Sequence, residues 1–264
     1  MTDRNPLPPP AVSEGKLQGF DLAGRRVIVY GAERPAASAA VEALREAGAL
    51  VGVTSAATDG TSLFRLKKAA AGGPTEAVDL ANGTNVQVAT RKLSKELGGL
   101  DAAIVAPGLW HTGPITKTLD ADVQRVLAAN LGGVYAAFRS ATREFRGGPG
   151  RLLALLDAPA VRGLTNLSLY AASQSGVIGL VRALSQEHAP NGITVNAIVS
   201  GWTDTSVGRG PAAVEDNLLL RFIPLRRFGT GQDVAPLAVY LVGPASGYVT
   251  GQVFQVDGGV LKRH

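Results

Sequence analysis

The chain has 264 residues, of which 45% are hydrophobic and 18% are charged, so it suits one large globular domain rather than a disordered chain. It contains no cysteine, which excludes disulfide bonds and thiolate metal or redox sites and favours a cytoplasmic location. The formal net charge is +5, but the basic residues are scattered and no apolar run is long enough to span a bilayer. We therefore expect neither nucleic-acid binding nor a membrane segment.

Residues 1–20 are polar and proline-rich, which predicts a mobile tail before a single domain over 21–264. Continuously apolar runs predict strands at 25–30, 49–54, 76–80, 101–106, 151–156, 193–199 and 252–257. Helical periodicity predicts helices at 35–47, 62–71, 84–97, 120–145, 165–189 and 231–242. This alternation predicts a Rossmann-type α/β fold, with a doubly wound, mainly parallel seven-stranded sheet and helices on both faces. The stretch 201–230 interrupts it and predicts a lid or substrate loop.

Three stretches carry a family resemblance, namely LAANLGGVYAAFR (127–139), YAASQSGVIGLVRALSQEHAPNGITVNAIVSGWTDT (170–205) and GQVFQVDGG (251–259). In their order and spacing, residues 22 to 260 resemble the short-chain dehydrogenase/reductase family, close to its 3-oxoacyl-carrier-protein reductases. The resemblance implies NAD(H) or NADP(H) as the cofactor. It also implies a tetramer whose contacts are formed by the last strand and two long helices.

The resemblance also implies a catalytic set. In this family a tyrosine transfers a proton at the carbonyl oxygen, a lysine four residues later lowers the pKa of that tyrosine, a serine orients the substrate, and an asparagine holds a water chain. Tyr170 and Asn130 stand at the tyrosine and asparagine positions. Gln174 stands at the lysine position without a charge, and Asp157 stands at the serine position, where its charge would raise the pKa of the phenol. These replacements predict impaired dehydrogenase chemistry.

Each of these residues has a structural interpretation beside the functional one. Tyr170 is either an acid–base group or a tyrosine retained for packing, and Asn130 either serves the site or kinks the long helix. Asp157 is either a new general acid or an aspartate that faces water or pairs with an arginine. Trp110 either lines a pocket or covers a loop. The three histidines lie far apart in the sequence, so no metal site is predicted.

The phosphate-binding loop of the family aligns with YGAERPAA at 30–37. Gly31 is kept, whereas Pro35 and Ala37 replace the two later glycines, which allow backbone to approach a pyrophosphate. Glu33 adds a negative charge where phosphates would lie. The altered loop predicts weakened dinucleotide binding.

Arg34 stands where NADP-preferring members carry an arginine for the 2′-phosphate, and residues 55–56 lack the aspartate of NAD-preferring members. If a dinucleotide binds, the resemblance therefore favours NADP(H). The other positions at which the family contacts its cofactor correspond to Asp79, Gly108, Thr203 and Thr205.

Three hypotheses follow, each with a small-molecule ligand in the crevice at the strand ends. The first is a non-catalytic or ligand-binding subunit of a homo- or hetero-oligomer of this family, because the catalytic positions have changed while the assembly stretches have not. The second is an NADP(H)-dependent oxidoreductase that acts on a carbonyl or secondary alcohol through Tyr170. The third is a non-redox lyase or isomerase in which Asp157 and Tyr170 are the acid–base pair.

Overall fold

A computed structural model describes residues 20–56, 73–203 and 220–261. The described residues form a seven-stranded parallel sheet of order β3-β2-β1-β4-β5-β6-β7. Its strands are β1 (Arg26–Tyr30), β2 (Leu50–Ser55), β3 (Thr75–Ala77), β4 (Ala102–Val105), β5 (Gly150–Asp157), β6 (Ile193–Ser200) and β7 (Val253–Val256). The predicted Rossmann-type architecture is confirmed.

Helices cover both faces of this sheet. They are α1 (Pro35–Glu46), α2 (Gly83–Leu97), α3 (Asp120–Leu127), α4 (Gly133–Glu144), α5 (Ala158–Arg162), α6 (Ser168–His188) and α7 (Gly231–Val242). Alternate residues of a strand point to opposite faces, so Ile28 and Tyr30 pack in an apolar layer with α2, α4 and α6. Val27 and Val29 pack in a second layer with α1 and α7. Because both faces are buried, the strands read as continuous apolar runs.

The helix ends follow from local chemistry. The Oδ1 atom of Asn82 accepts hydrogen bonds from the amides of Thr84 and Asn85, both at 3.1 Å, and so begins α2. Gly98 ends that helix in the left-handed region, with a φ of 78°. A reciprocal capping box between Thr230 and Asp233 begins α7 beside the carboxyl end of the sheet.

Two predicted elements differ from those observed. The predicted helix over 120–145 is interrupted by the π-helical segment Ala128–Gly132, which separates α3 from α4. The predicted strand at 76–80 is only Thr75–Ala77, because it is an edge strand that is paired on one side and partly exposed. The predicted helix 62–71, residues 1–19 of the predicted tail and residues 204–219 of the predicted lid lie outside the described residues. None of the described helices combines the length and apolar character that crossing a membrane requires.

Candidate active site

The carboxyl ends of β1, β4, β5 and β6 meet at one crevice. The chain runs from β1 outward to β2 and β3 and then returns to β4 on the opposite side of β1, so the connections after β1 and β4 leave in opposite directions. Open α/β sheets bind their ligands at such a switch point. The lining of the crevice includes Arg34, Ala106, Pro107, Asp157 and Thr203.

The turn that follows β1 requires a glycine. Gly31 has a φ of 73°, and a Cβ atom at this position would overlap the carbonyl oxygen of Ala106, the residue that follows β4. The amide of Ala106 donates to the carbonyl of Tyr30, which keeps the two strand ends close together. The close approach of β1 to β4 therefore requires a glycine at position 31, whether or not a ligand binds.

Arg34 precedes α1 and extends its side chain across the crevice. Its backbone is extended, with a φ of −75° and a ψ of 138°, because the next residue, Pro35, disfavours helical geometry before it. The guanidinium donates from Nη1 to the carbonyl of Gly108 at 3.1 Å and from Nη2 to Oδ2 of Asp157 at 2.9 Å. With 14% of its side chain exposed, Arg34 bridges the ends of β1, β4 and β5.

The predicted contact of Arg34 with a 2′-phosphate required a guanidinium near the end of β2. Its neighbour Glu33 is the residue that reaches that end, where its Oε1 atom accepts a hydrogen bond from the amide of Ala56 at 3.4 Å. Arg34 instead points toward the only carboxylate described in the crevice lining, that of Asp157, because two opposite charges pair readily when partly buried. The 2′-phosphate role of Arg34 stays a prediction.

Tyr170, which is fully buried, makes a short polar contact with Asp157 of the crevice lining. The Tyr170 hydroxyl donates to Oδ2 of Asp157 at 2.5 Å, the same oxygen that accepts from Arg34. Asp157 is the last residue of β5, and Tyr170 lies in the first turn of α6. The indole of Trp110 packs on the Tyr170 ring with the centroids 4.6 Å apart and the planes tilted by 52°. The two candidate acid–base groups that sequence predicted are thus in direct contact.

The phenol of Tyr170 is held in its neutral form. Burial raises its pKa well above the usual value of 10, and the charge and hydrogen bond of Asp157 raise it further. The Arg34 guanidinium acts in the opposite direction but does not outweigh these effects. The predicted influence of Asp157 on the pKa of the phenol is confirmed in direction.

Gln174 lies one helical turn after Tyr170 and is fully buried. Its Nε2 atom donates to the carbonyl of Pro107 at 3.5 Å, and its Oε1 atom has no hydrogen-bond partner among the described residues. An unpaired buried amide oxygen is costly, so it is a ready acceptor for a ligand hydroxyl. The residue at the lysine position thus has an acceptor atom without a partner, and it carries no charge that could stabilise a phenolate.

Asn130 lies within the π-helical segment and is fully buried. Its carboxamide accepts from the amide of Leu109, donates to the carbonyl of Leu109 and donates to the hydroxyl of Ser173. Its side chain thus connects the bulged helix to the loop after β4 and to α6. These contacts support the structural interpretation of Asn130, in which it stabilises an irregular helix beside the site.

The remaining predicted residues are distributed more widely. Asp79 is exposed after β3 and caps the following turn through the amide of Ala81, and Thr203 is buried and bridges to Gly229. Ala37 is buried in the apolar layer with α1 and α7 and is absent from the lining of the crevice. Thr205 lies outside the described residues. The described residues contain no group of three or more side chains suited to hold a metal ion.

A dinucleotide fits this crevice only in part. The Gly31 turn and the unpaired oxygen of Gln174 suit a ribose-phosphate ligand, and the buried indole nitrogen of Trp110 is likewise without a partner among the described residues. However, a Cβ atom at Gly108 would overlap the guanidinium of Arg34. The open face that Gly108 would offer to a cofactor is therefore filled by protein in this conformation.

The structure agrees with the interpretation of Asp157 as an aspartate that pairs with an arginine, but sequence reasoning did not identify Arg34 as that arginine. The signal of this pairing was the coincidence of two unusual residues of opposite charge, one in the phosphate loop and one at the serine position. Parallel strands place both residues at the same edge of the sheet, where the charges pair. The packing of Trp110 on Tyr170 was also not predicted, since no periodicity relates a loop residue to a helix.

Comparison with known proteins extends over nearly the whole chain. A family model described as enoyl-(acyl carrier protein) reductase matches residues 31–261. Nodulation protein G from a Rhizobium species is 31% identical over 246 residues, which are 91% of this chain and 98% of that protein. A 3-oxoacyl-(acyl-carrier-protein) reductase from Chlamydia muridarum is 30% identical over 184 residues, which are 69% of this chain and 74% of that protein.

One solved structure is similar to this chain in both fold and sequence. The short chain dehydrogenase from Burkholderia cenocepacia in complex with NADP has a TM-score of 0.79 and 28% identity, and the match covers 91% of this chain and 99% of that chain. The sheet order, the placement of Tyr170 on α6 and these matches agree. The chain belongs to the short-chain dehydrogenase/reductase family, and it is similar to the 3-oxoacyl-carrier-protein reductases within that family.

Proposed function

We propose that this protein is an NADP(H)-dependent oxidoreductase that reduces a carbonyl group, with a 3-oxoacyl thioester as the substrate class. The observation that carries the proposal is the Tyr170 hydroxyl, which is held protonated and is hydrogen-bonded to Asp157, a residue of the crevice lining. The similarity to a 3-oxoacyl-(acyl-carrier-protein) reductase and to an NADP-bound dehydrogenase supports the substrate class and the cofactor.

The site contains a proton donor for carbonyl reduction. A carbonyl that becomes an alkoxide needs such a donor, and the Tyr170 phenol carries its proton at neutral pH. The raised pKa makes this phenol a weaker acid, and Asp157 opposes its ionisation in either direction of the reaction, which is consistent with slow turnover. When bound, NADPH would supply the hydride, and Tyr170 would supply the proton to the substrate oxygen.

In place of the single lysine of the family, Arg34 supplies the positive charge and Gln174 supplies a hydrogen-bond acceptor. Arg34 is the positive charge that lowers the pKa of Tyr170, although Asp157 lies between the two groups. Gln174 offers its unpaired Oε1 atom to a ribose or substrate hydroxyl. Because the charge is shared with Asp157, we expect turnover slower by roughly 10²- to 10⁴-fold than a lysine-assisted tyrosine gives.

The test is NADPH consumption with acetoacetyl-CoA, a small 3-oxoacyl thioester, by the wild type and by Tyr170→Phe. We expect slow turnover that the Tyr170→Phe substitution abolishes. Tyr248→Phe removes the hydroxyl of a fully exposed tyrosine and should leave the rate unchanged. Equal rates in the wild type and Tyr170→Phe would contradict the proposal.

A second candidate is a non-catalytic subunit of an oligomer, a tetramer as the family resemblance implies. It is favoured by the uncharged Gln174 and by the guanidinium that fills the crevice in front of Gly108. The measurement is the mass of the purified protein in solution together with its turnover. A homotetramer with Tyr170-dependent turnover would exclude this candidate.

A third candidate is a non-redox acid–base reaction, favoured by the 2.5 Å contact between Tyr170 and Asp157. In such a reaction Asp157 accepts a proton, which requires its carboxylate. If Asp157→Asn retains full activity on the substrate that the wild type converts, this candidate is excluded.

A further inference from the structure

The guanidinium of Arg34 occupies the crevice as a ligand would. It donates hydrogen bonds to the carbonyl of Gly108 at 3.1 Å and to Oδ2 of Asp157 at 2.9 Å. Only 14% of the side chain is exposed. An arginine side chain is buried to this extent only where polar partners compensate for its lost hydration, and the crevice supplies such partners.

The crevice is shaped to accept a flat group at this point. Gly108 has no side chain, and the space that its Cβ atom would take is occupied by the Cζ, Nη1 and Nε atoms of Arg34. The guanidinium therefore fills the hollow that Gly108 leaves. Any ligand that enters this hollow must first displace it.

Arg34 also has a strong alternative partner when it moves. A guanidinium pairs with phosphate at least as well as with carboxylate, because its fork of N–H donors matches the oxygen geometry of both. Arg34 belongs to the loop that would face the phosphates of a dinucleotide, directly before the first turn of α1. A phosphate oxygen can thus replace the Asp157 oxygen without leaving the arginine unpaired.

We propose that Arg34 is an internal occupant of the dinucleotide crevice, anchored by Asp157, and that binding exchanges the carboxylate of Asp157 for a phosphate of NADPH. This inference rests on the dinucleotide binding of the proposed function. Asp157 then sets the nucleotide affinity. The observed association constant is the intrinsic constant multiplied by the fraction of molecules in which the Arg34–Asp157 ion pair is open.

The experiment is a calorimetric or nicotinamide-fluorescence titration with NADPH, without substrate. We expect Asp157→Asn to bind NADPH about tenfold or more tightly than the wild type, because the anchor is lost and Arg34 is retained. Asp157→Ser serves as a second variant in case the asparagine side chain itself pairs with Arg34. Combining Asp157→Asn with Arg34→Ala should abolish the gain, since the phosphate partner is then missing.

Glu42→Gln is the matched control. It removes one negative charge from an exposed position of α1, the helix that follows Arg34, outside the lining of the crevice. We expect a change in NADPH affinity of less than about threefold, which is the general effect of one exposed charge. Equal gains from Glu42→Gln and Asp157→Asn, or no gain from either Asp157 variant, would overturn the inference.

The readout separates this inference from the proposed function. If Asp157→Asn gains affinity while no variant shows Tyr170-dependent turnover, the occupancy by Arg34 holds and the reductase proposal fails. If the wild type turns over and binds NADPH as tightly as Asp157→Asn, the reductase proposal holds and the occupancy fails. A lack of binding in all variants contradicts both.

Discussion

The side chain of Asn130 hydrogen-bonds both backbone groups of Leu109, accepting from its amide at 2.8 Å and donating to its carbonyl at 3.0 Å. The second amide hydrogen of Asn130 reaches the hydroxyl of Ser173 at 3.0 Å. The pairing fixes the loop that carries Trp110, whose indole covers Tyr170. The π-helical segment places Asn130 at the depth where it meets this loop.

We expect Asn130→Ala to lower the free energy of unfolding by about 3 kcal/mol, because it leaves the partly buried amide and carbonyl of Leu109 without their partner. Denaturant unfolding of the purified variant measures this. Asn85→Ala, at an exposed position of α2, is the control and should cost less than about 0.5 kcal/mol. Similar losses in the two variants would show that the Leu109 bonds contribute little.

Gly31 and Gly24 allow the cost of backbone conformation to be separated from the cost of crowding. Both have a φ of 73°, but a Cβ atom at Gly24 meets nothing within 4 Å, whereas one at Gly31 would overlap the Ala106 carbonyl. Gly24→Ala should cost roughly 1–2 kcal/mol from the left-handed backbone alone. Gly31→Ala should cost about 2 kcal/mol more, since β1 and β4 must move apart.

The same denaturant series tests this prediction. If Gly31→Ala and Gly24→Ala are equally destabilised, the approach of Gly31 to Ala106 is not a constraint on the fold. A Gly31→Ala variant that is stable but no longer binds NADPH would instead assign the glycine to the ligand.

Tyr170 should remain un-ionised far into the alkaline range. Burial, followed by the charge of Asp157, raises its pKa well above 10, so tyrosinate absorbance at about pH 11 should be the same in the wild type and in Tyr170→Phe. Asp157→Asn removes one cause of the shift, and its tyrosinate signal should rise at lower pH than that of the wild type.

The sign of the linked stability follows from this shift. The pKa of Tyr170 is higher in the folded state than in the unfolded state, so the contribution is fully present below about pH 10 and is lost as the pH rises through the folded pKa. The wild type should therefore lose more unfolding free energy than Tyr170→Phe between about pH 10 and pH 12. Parallel pH profiles for the two proteins would contradict the raised pKa.

Much of the fold was open to prediction because the central strands of the sheet are buried on both faces. The runs at β1, β4, β5 and β6 contain apolar residues without alternation, and the structure places all four in the centre of the sheet. The edge strand β3 was predicted less well, since pairing on one side leaves its residues partly exposed. The bulge at Asn130 has no signal in helical periodicity, because it adds a residue without changing which residues are apolar.

The sequence identified candidate site residues but not their arrangement. The resemblance placed Asp157 at the serine position beside Tyr170, and the structure joins the two by a hydrogen bond. The direction of the Arg34 side chain was not predictable, because a long side chain with several rotamers follows its partners. The resemblance predicted that Arg34 contacts a 2′-phosphate, and in the structure its guanidinium pairs with the carboxylate at the end of β5.

The sequence by itself determined the sheet and its helices, because burial periodicity is a local property of the chain. Only the tertiary structure decided that Arg34 fills the hollow at Gly108 and pairs with Asp157, and that the same Asp157 oxygen accepts a hydrogen bond from Tyr170. These three contacts join residues that are far apart along the chain, and charges pair according to where the strand ends place them rather than according to sequence spacing.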